Sequence, residues 1–287
     1  MVNSTSGKVI SIVSKDYKLI PNIEAIKLGK ELFLQLFPGV DIDALIPFKV
    51  LAPKTLNSVH IDMIHKDVNF NVSEQEQWLP FMRISNSYNR TVALSYEIGF
   101  VRALCSNGVL FKKNTLQLKY YHTKDNRINV QNDASQIGGA INYFKDQCRK
   151  LSDIKFPKEI MVPLVFDILH INLKIPDEGI DKQKWRRLNK LIKTTHELTN
   201  LYFGTIGDNA YAAFNVLSDL VSHEDVNHCL PAYHLHVRSY FTKPNSWAEQ
   251  FIMKSSEKNF QINDYLKTTI KSLNDWKHNL YLHWELN

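Results

Sequence analysis

The sequence predicts an α+β protein, an antiparallel sheet meander followed by a helical C-terminal half. Three observations carry this. Val59, Ile61 and Met63 alternate with His60, Asp62 and Ile64, a mostly period-2 pattern that marks a half-buried strand. From Phe81 to His122, apolar alternating runs are separated by two polar clusters, Asn86-Ser87-Tyr88-Asn89 and Cys105-Ser106-Asn107-Gly108. Asn, Ser and Gly in such clusters make reversals between antiparallel strands. Then the period changes: Ile137, Ile141, Phe144, Cys148 and Leu151 recur at steps of 4, 3, 4 and 3, one stripe of an amphipathic helix. Strands first and helices afterwards is the order of an α+β architecture.

Taken in order, residues 8–13 (Lys-Val-Ile-Ser-Ile-Val) predict a short strand. Pro21-Asn22 opens a helix with Ile23, Ile26, Leu32, Phe33, Leu36 and Phe37 near helical spacing, and Pro38-Gly39 stops it. Short apolar runs follow at 47–52 and 56–70, and Asn69–Pro80 reads as a polar loop. The clearest strands are Phe81–Ser85, Thr91–Ile98 and Thr115–Tyr121; Gly99–Cys105 fits either a strand or a short helix. After the polar loop Thr123–Asp133, Asp133 or Ser135 caps the amphipathic helix. Met161–Ile171 is apolar and short. Asp181 opens a helix to about Phe203, with Trp185, Leu188, Ile192 and Leu201 on its buried face and Gly204 closing it. Asn209–Val221 is a further helix, in which Ala212, Ala213 and Val216 permit close packing, and Asp264–Tyr281 is the last, apolar at Leu266, Ile270, Leu273 and Leu280. A sheet-rich part, residues 1–152, is therefore expected to pack with a mainly helical part, 153–287, as one compact unit, with Leu151–Pro157 as the boundary.

Composition narrows the function classes. With 287 residues, 44% hydrophobic and 22% charged, the chain is ordinary for a globular protein of one or two domains. Lys plus Arg is 35 against 29 for Asp plus Glu, and this modest basic excess is compatible with an acidic or nucleic-acid partner. Three scattered cysteines, Cys105, Cys148 and Cys229, make no disulfide framework and suit a reducing cytoplasm. Neither a signal peptide nor a membrane span is expected. The sequence lacks a G-x-x-x-x-G-K-S/T phosphate loop, a G-x-G-x-x-G fingerprint and a G-x-S-x-G elbow, so ATP-driven and dinucleotide chemistry are not expected and no cofactor is assigned.

Asn86-Ser87, Arg102, Cys105-Ser106-Asn107-Gly108 and His122 together resemble a family of phage- and plasmid-borne proteins catalogued as domain of unknown function 932. Its members look like N-S-x-D/N-G-S, then R-x-x-C-S-N-G, then H-T. The later run Asn209–Asn215 with His223 is similar to that family's helical block, so the likeness spans roughly residues 80–225. One departure is clear. Where relatives often carry Asp-Gly after Asn-Ser, this chain has Tyr88-Asn89-Arg90. Asn tolerates a left-handed turn almost as Gly does, so the turn is expected to survive. The resemblance implies a mobile-element setting and nucleic-acid handling. The element order is also similar to single-strand annealing proteins, which form rings; that step is analogy at fold level.

Several residue groups are candidate sites. Asn86, Ser87, Ser106 and Asn107 either hold tight turns or line a polar cleft. Arg102, among apolar neighbours, needs a partner, either turn carbonyls or a phosphate or carboxylate held bidentately. Cys105 with His122 is a nucleophile pair only if the two touch; otherwise Cys105 is a small core residue. Arg83, Arg90, Lys112, Lys113, Lys119, Lys124 and Arg127, interleaved with Tyr88, Phe111, Tyr120 and Tyr121, are either a solvated sheet face or a surface where cations meet phosphates and aromatics stack on bases. The run Lys182–Arg187 with Lys190 and Lys193 reads as a helix's solvent face. His223, His228, Cys229, His234 and His236 form a loose metal-like cluster, with His234-x-His236 on a strand, but match no standard zinc spacing. Asp62, Asp67 and Glu97 are too generic to assign as metal-binding carboxylates of a nuclease. The leading expectation is non-enzymatic binding of single-stranded DNA, with Glu at Lys112 and Lys113 weakening binding more than Glu at Lys182 and Lys184. A host or phage protein partner that counters or modulates a host defence system is the second expectation, and a metal-dependent hydrolase the third.

Overall fold

The computed structural model describes residues 1–2, 7–53, 55–73, 76–103, 108–110, 117–124, 128, 139–171, 182–222 and 233–267. Its strands are β1 (Leu45–Leu51), β2 (Ser58–His65), β3 (Phe70–Ser73), β4 (Glu76–Ser87), β5 (Leu94–Arg102), β6 (Gly108–Leu110) and β7 (Gln117–Tyr120). They form one sheet of order β1-β2-β4-β5-β6, in which β3 pairs β4 and β7 pairs β5. The β1·β2, β2·β4, β3·β4, β4·β5 and β5·β7 pairings are antiparallel. The helices are α1 (Asn22–Leu36), α2 (Ala140–Ser152), α3 (Met161–Leu169), α4 (Lys182–Ile206), α5 (Ala210–Ser222) and α6 (Tyr233–Ser255), and residues 262–267 are also helical. The strands precede all helices but α1, so the α+β organisation is as expected.

The twelve-residue β4 is the middle of the sheet. One of its edges is shared: β3 pairs with its start (Phe70↔Trp78) and β2 with the rest (Ile64↔Phe81 to Ser58↔Ser87). Pro80 lies between these two ladders, where a missing amide proton interrupts neither. The stretch 69–80 is therefore strand rather than loop at residues 70–73 and 76–80. Its alternation is concealed because β3 and the start of β4 bury one large apolar residue each, Phe70 and Trp78, beside the exposed Asn71 and Gln77. The expected strand at 8–13 is absent; this region makes only the isolated bridge Val2↔Val9. Of the undecided segment 99–105, residues 99–102 complete β5, whose Ser95 and Glu97 alternation stops at Gly99 although the strand stays buried to Arg102.

Two faces of the sheet differ. On one, Ile84 and Tyr96, in register with Ile61, meet α1, whose Ala25, Gly29, Leu32 and Phe33 are buried. A Cβ on Gly29 would lie 2.6 Å from Cδ1 of Ile84 and 3.2 Å from Cε1 of Tyr96, so the glycine permits the close approach. The Tyr96 hydroxyl donates to the Ala25 carbonyl at 3.0 Å. Leu32 and Phe33 are buried as expected, whereas Ile23 is 75% exposed. Toward β3, Phe70, Trp78 and Phe100 pack with Phe144 of α2, with Phe100 and Phe144 stacked at 4.6 Å.

In the helical part, α4 runs through Gly204 and ends at Gly207, whose φ of +103° only glycine adopts readily. Leu201, expected inside, is half exposed; Leu191, Thr195 and Tyr202 are the buried side. Asn209 caps α5 by accepting from the Ala212 amide at 3.0 Å, and every residue of α5 is buried. Phe156, Trp247 and Phe251 form an aromatic group that continues to Phe260 and Tyr265. The chain divides into two compact units, one comprising Met1–Leu104 and Leu110–Phe144, the other Cys105–Val109 and Lys145–Asn287.

Candidate functional site

The first unit concentrates its polar chemistry at the end of the sheet where β4 turns into β5 and where β7 leaves its ladder. The β4–β5 connection is fixed by side chains acting locally. Ser87 Oγ donates to the Val92 carbonyl at 2.6 Å and accepts from the Val92 amide at 3.0 Å. Asn89 Oδ1 accepts from the Thr91 amide and hydroxyl. The left-handed residue of this turn is Arg90, with φ of +66°, rather than Asn89.

The same end holds the N-terminal segment. Asn86 Nδ2 donates to the Ile20 carbonyl at 2.9 Å and to Asn22 Oδ1 at 2.8 Å. The Tyr17 hydroxyl donates to the Ser87 carbonyl at 2.7 Å, Ser11 Oγ donates to the Tyr88 carbonyl, and the Tyr88 hydroxyl accepts from the Asn22 amide. His122 stacks on Tyr17 at 4.9 Å, gives its Nδ1 proton to the Lys18 carbonyl, and accepts the Lys18 amide on its own carbonyl. With His122 only 8% exposed, burial pushes the imidazole below the usual histidine range, against the opposing effect of the Lys18 carbonyl. Burial raises the Tyr17 phenol, and Arg90 nearby moderates it. Asn86, Ser87 and His122 therefore act as a clasp on residues 11–22.

Two of the expected surface cations are inside. Arg83 is 0% exposed and grips Asp62 on β2 through Nε and Nη2, both at 2.6 Å. Arg102 is 8% exposed and bonds Glu76 at 2.5 Å. Each arginine is held by a carboxylate, so neither stands on a solvent-facing phosphate track. Around Arg83 the second face of the sheet carries a polar row. Asp62, Arg83, Glu97 and Gln117 are in register across β2, β4, β5 and β7. Gln117 donates to Glu97, and His60 bonds Ser85 at 2.7 Å one row away. Asp62 and Glu97, generic in the sequence, are thus members of one cross-strand row.

Several exposed cations lie at the clasped end. Lys119 on β7 lies over the Tyr121 ring at 5.5 Å, and Tyr121 is 61% exposed. Lys124 is 61% exposed and 3.6 Å from Asp16. Arg90, Lys15 and Lys18 are exposed as well. Sequence reasoning missed Tyr17 and its neighbours, although Lys15-Asp16-Tyr17-Lys18 has the cation–aromatic composition sought elsewhere in the chain. Cys105, Ser106, Asn107, Lys112 and Lys113, with Phe111 and Arg127, lie outside the described residues; Gly108 begins β6. His122 contacts Tyr17 and Lys18.

Among the described residues no group of three His, Cys, Asp or Glu is arranged to hold a metal. His223, His228 and Cys229 lie outside them. His234 and His236 are in α6 rather than on a strand, and residues two apart in a helix do not share a face. The Lys182–Arg187 run begins α4, and Lys182, Arg186, Arg187, Lys190 and Lys193 are exposed, as expected of a solvent face. Among the described residues no helix is long and apolar enough to cross a membrane.

Neither the curated proteins nor the solved structures contain a match to this chain. A family model does match, over residues 9–258, which takes in the clasp, the sheet and most of the helical unit. The chain belongs to the family described as domain of unknown function DUF932.

Proposed function

We propose that the protein binds single-stranded nucleic acid, without catalysing a reaction, through the end of its sheet that carries Arg90, Lys119, Tyr121 and Lys124. The observation that supports this best is the outward pair Lys119 and Tyr121: an ammonium 5.5 Å from the centre of a ring that is 61% exposed. An exposed tyrosine offers a base a stacking surface of about 1–3 kcal/mol, and lysines beside it meet the phosphates. Single strands expose both base faces and backbone, whereas a duplex hides its base faces. The same reading puts the protein in the cytoplasm of a bacterial host of a phage or plasmid, on the strength of the family resemblance.

The test is fluorescence anisotropy of a labelled single-stranded DNA at several salt concentrations, with a duplex and an RNA of the same sequence beside it. Binding to the single strands, falling steeply with salt, is expected. Replacing Lys119 and Lys124 by Glu should weaken it roughly tenfold or more at moderate salt, because each lost phosphate contact takes about 0.7 from the salt slope. No binding at low salt would remove the proposal. A protein partner is the second reading, favoured by exposed apolar side chains such as Ile12 (94%) and Leu56 (62%) in the first unit. Capture of a host defence protein, unaffected by salt and without any oligonucleotide binding, would establish it instead.

A further inference from the structure

The Asn86 amide nitrogen, the Ser87 carbonyl, and the ring Nδ1 and carbonyl of His122 all bond the protein's own N-terminal segment, which leaves the question of what that segment is held for. Residues 10–16 and 18–21 lie in no strand or helix, apart from a turn at 15–16, and Tyr17 makes only an isolated bridge to Thr123. Their described tethers to the sheet end are polar or aromatic. They are Ser11 to Tyr88, Tyr17 to the Ser87 carbonyl and to the His122 ring, Lys18 to both the ring and the carbonyl of His122, and Ile20 to Asn86. Between these tethers the side chains of Lys15 and Lys18 are exposed. The tethers also fix where those cations stand. Lys18 is bonded to the residue that follows Tyr121, Asp16 is 3.6 Å from Lys124, and Tyr17 feels the charge of Arg90.

We infer that the N-terminal segment is one wall of the single-strand site, with Lys15 and Lys18 as phosphate-binding residues opposite Arg90, Lys119 and Lys124. Asn86, Ser87 and His122 are its positioning residues. This deepens the proposed function and rests on it. The physical case is that a polyanion follows a track of cations rather than a point. The β7 end alone offers Lys119 and Lys124, and Asp16 beside Lys124 offsets part of that charge. Adding Lys15, Lys18 and Arg90 turns the pair into a band of five cations flanking Tyr121. A solvent-facing lysine on a segment tethered at four points also loses less freedom on binding a phosphate than one on a loose terminus. The signature residues thereby connect with binding without touching the ligand.

The experiment compares three forms of the full chain against a labelled oligothymidylate of about 20 nucleotides, longer than the roughly 4–16 one such surface covers. They are the unaltered protein, Lys15→Glu/Lys18→Glu, and the control Lys182→Glu/Lys190→Glu on α4. Both pairs are exposed, so neither substitution disturbs a core. The inference expects the first pair to weaken binding at least about tenfold and to lower the salt slope by about 1.4, two contacts at about 0.7 each, with the control unchanged. If the unaltered protein binds and Lys15→Glu/Lys18→Glu binds equally well, or the control weakens as much, the segment is not a wall of the site and the inference fails while the proposed function stands. If the unaltered protein binds nothing at low salt, both fail. Hydrogen exchange gives an independent readout: the amides of residues 15–18 should be protected by the oligonucleotide, and unchanged exchange there counts against the inference.

Discussion

At the residue scale the chain violates two ordinary preferences, and each violation yields a prediction. Arg90 occupies a left-handed backbone conformation at which a Cβ is strained. Arg90→Gly should therefore stabilise the first unit by about 0.5–1 kcal/mol in denaturant unfolding, the relief of strain exceeding the added unfolded-state entropy. A loss of stability would mean that the guanidinium does more for the fold than the backbone strain costs. The second violation is the charge pair sealed in the sheet. Arg83→Met leaves the Asp62 carboxylate buried without its guanidinium and should cost about 3–5 kcal/mol. Replacing both, Asp62→Leu with Arg83→Met, should recover much of that loss. His122 sets a pH dependence. Its folded pKa lies below the ordinary value of about 6.5, so below that pH the unfolded chain binds a proton that the folded chain resists. The clasp is complete above about pH 6.5, weakens as the pH falls through it, and levels off once folded His122 protonates too. The protection factor of the Lys18 amide, which is bonded to the His122 carbonyl, should fall as the pH is lowered through that window, and His122→Gln should flatten the response. The residue scale is where the sequence was least legible. Arg83 and its carboxylate are 21 positions apart and His122 is 104 from Lys18, separations over which no local pattern reports.

At the scale of elements, punctuation is easier to read than orientation. Pro21-Asn22 and Pro38-Gly39 bracket α1 correctly, because proline and glycine act on the local backbone whatever lies around them. The face that α1 buries is legible only in part: hydrophobicity points to Leu32 and Phe33, which are buried, and equally to Ile23, which is exposed, whereas the contact under Ile84 and Tyr96 is made by the small Ala25 and Gly29. Small residues signal close approach only once the partner is known. Gly29→Leu should consequently push α1 off the sheet and cost more than about 1–3 kcal/mol, the usual range for overpacking. Ile23→Ser, on the exposed side, should be nearly neutral. Thermal unfolding of the two variants measures the contrast. The short β3 and the start of β4 read as a loop because polar residues dominate both. The helix α4 reads as ending at Gly204 because a glycine inside a helix looks like its end until Gly207 supplies the positive φ.

At the scale of the whole molecule, the order of elements and the class of fold were legible, since a change of period from strand to helix survives any error in individual boundaries. The candidate site was legible in part. Lys119, Tyr121 and Lys124 are exposed side chains whose chemistry is visible in the sequence, and they form the surface on which the binding proposal rests. The corner at Asn86 and Ser87 was legible as a turn-former but not as part of a clasp with His122, because the partners come from the other end of the first unit's chain. The net charge of +6 is spread over the whole sequence and does not locate a ligand. Locating it requires a chemical mark. The most direct measurement is photo-crosslinking of a bromouracil-substituted single strand, followed by identification of the attached peptide. A nucleotide stacked at the sheet end would give adducts on Tyr121 or Tyr17. Adducts confined to the basic face of α4, with none on peptides containing residues 15–18 or 117–124, would contradict the account.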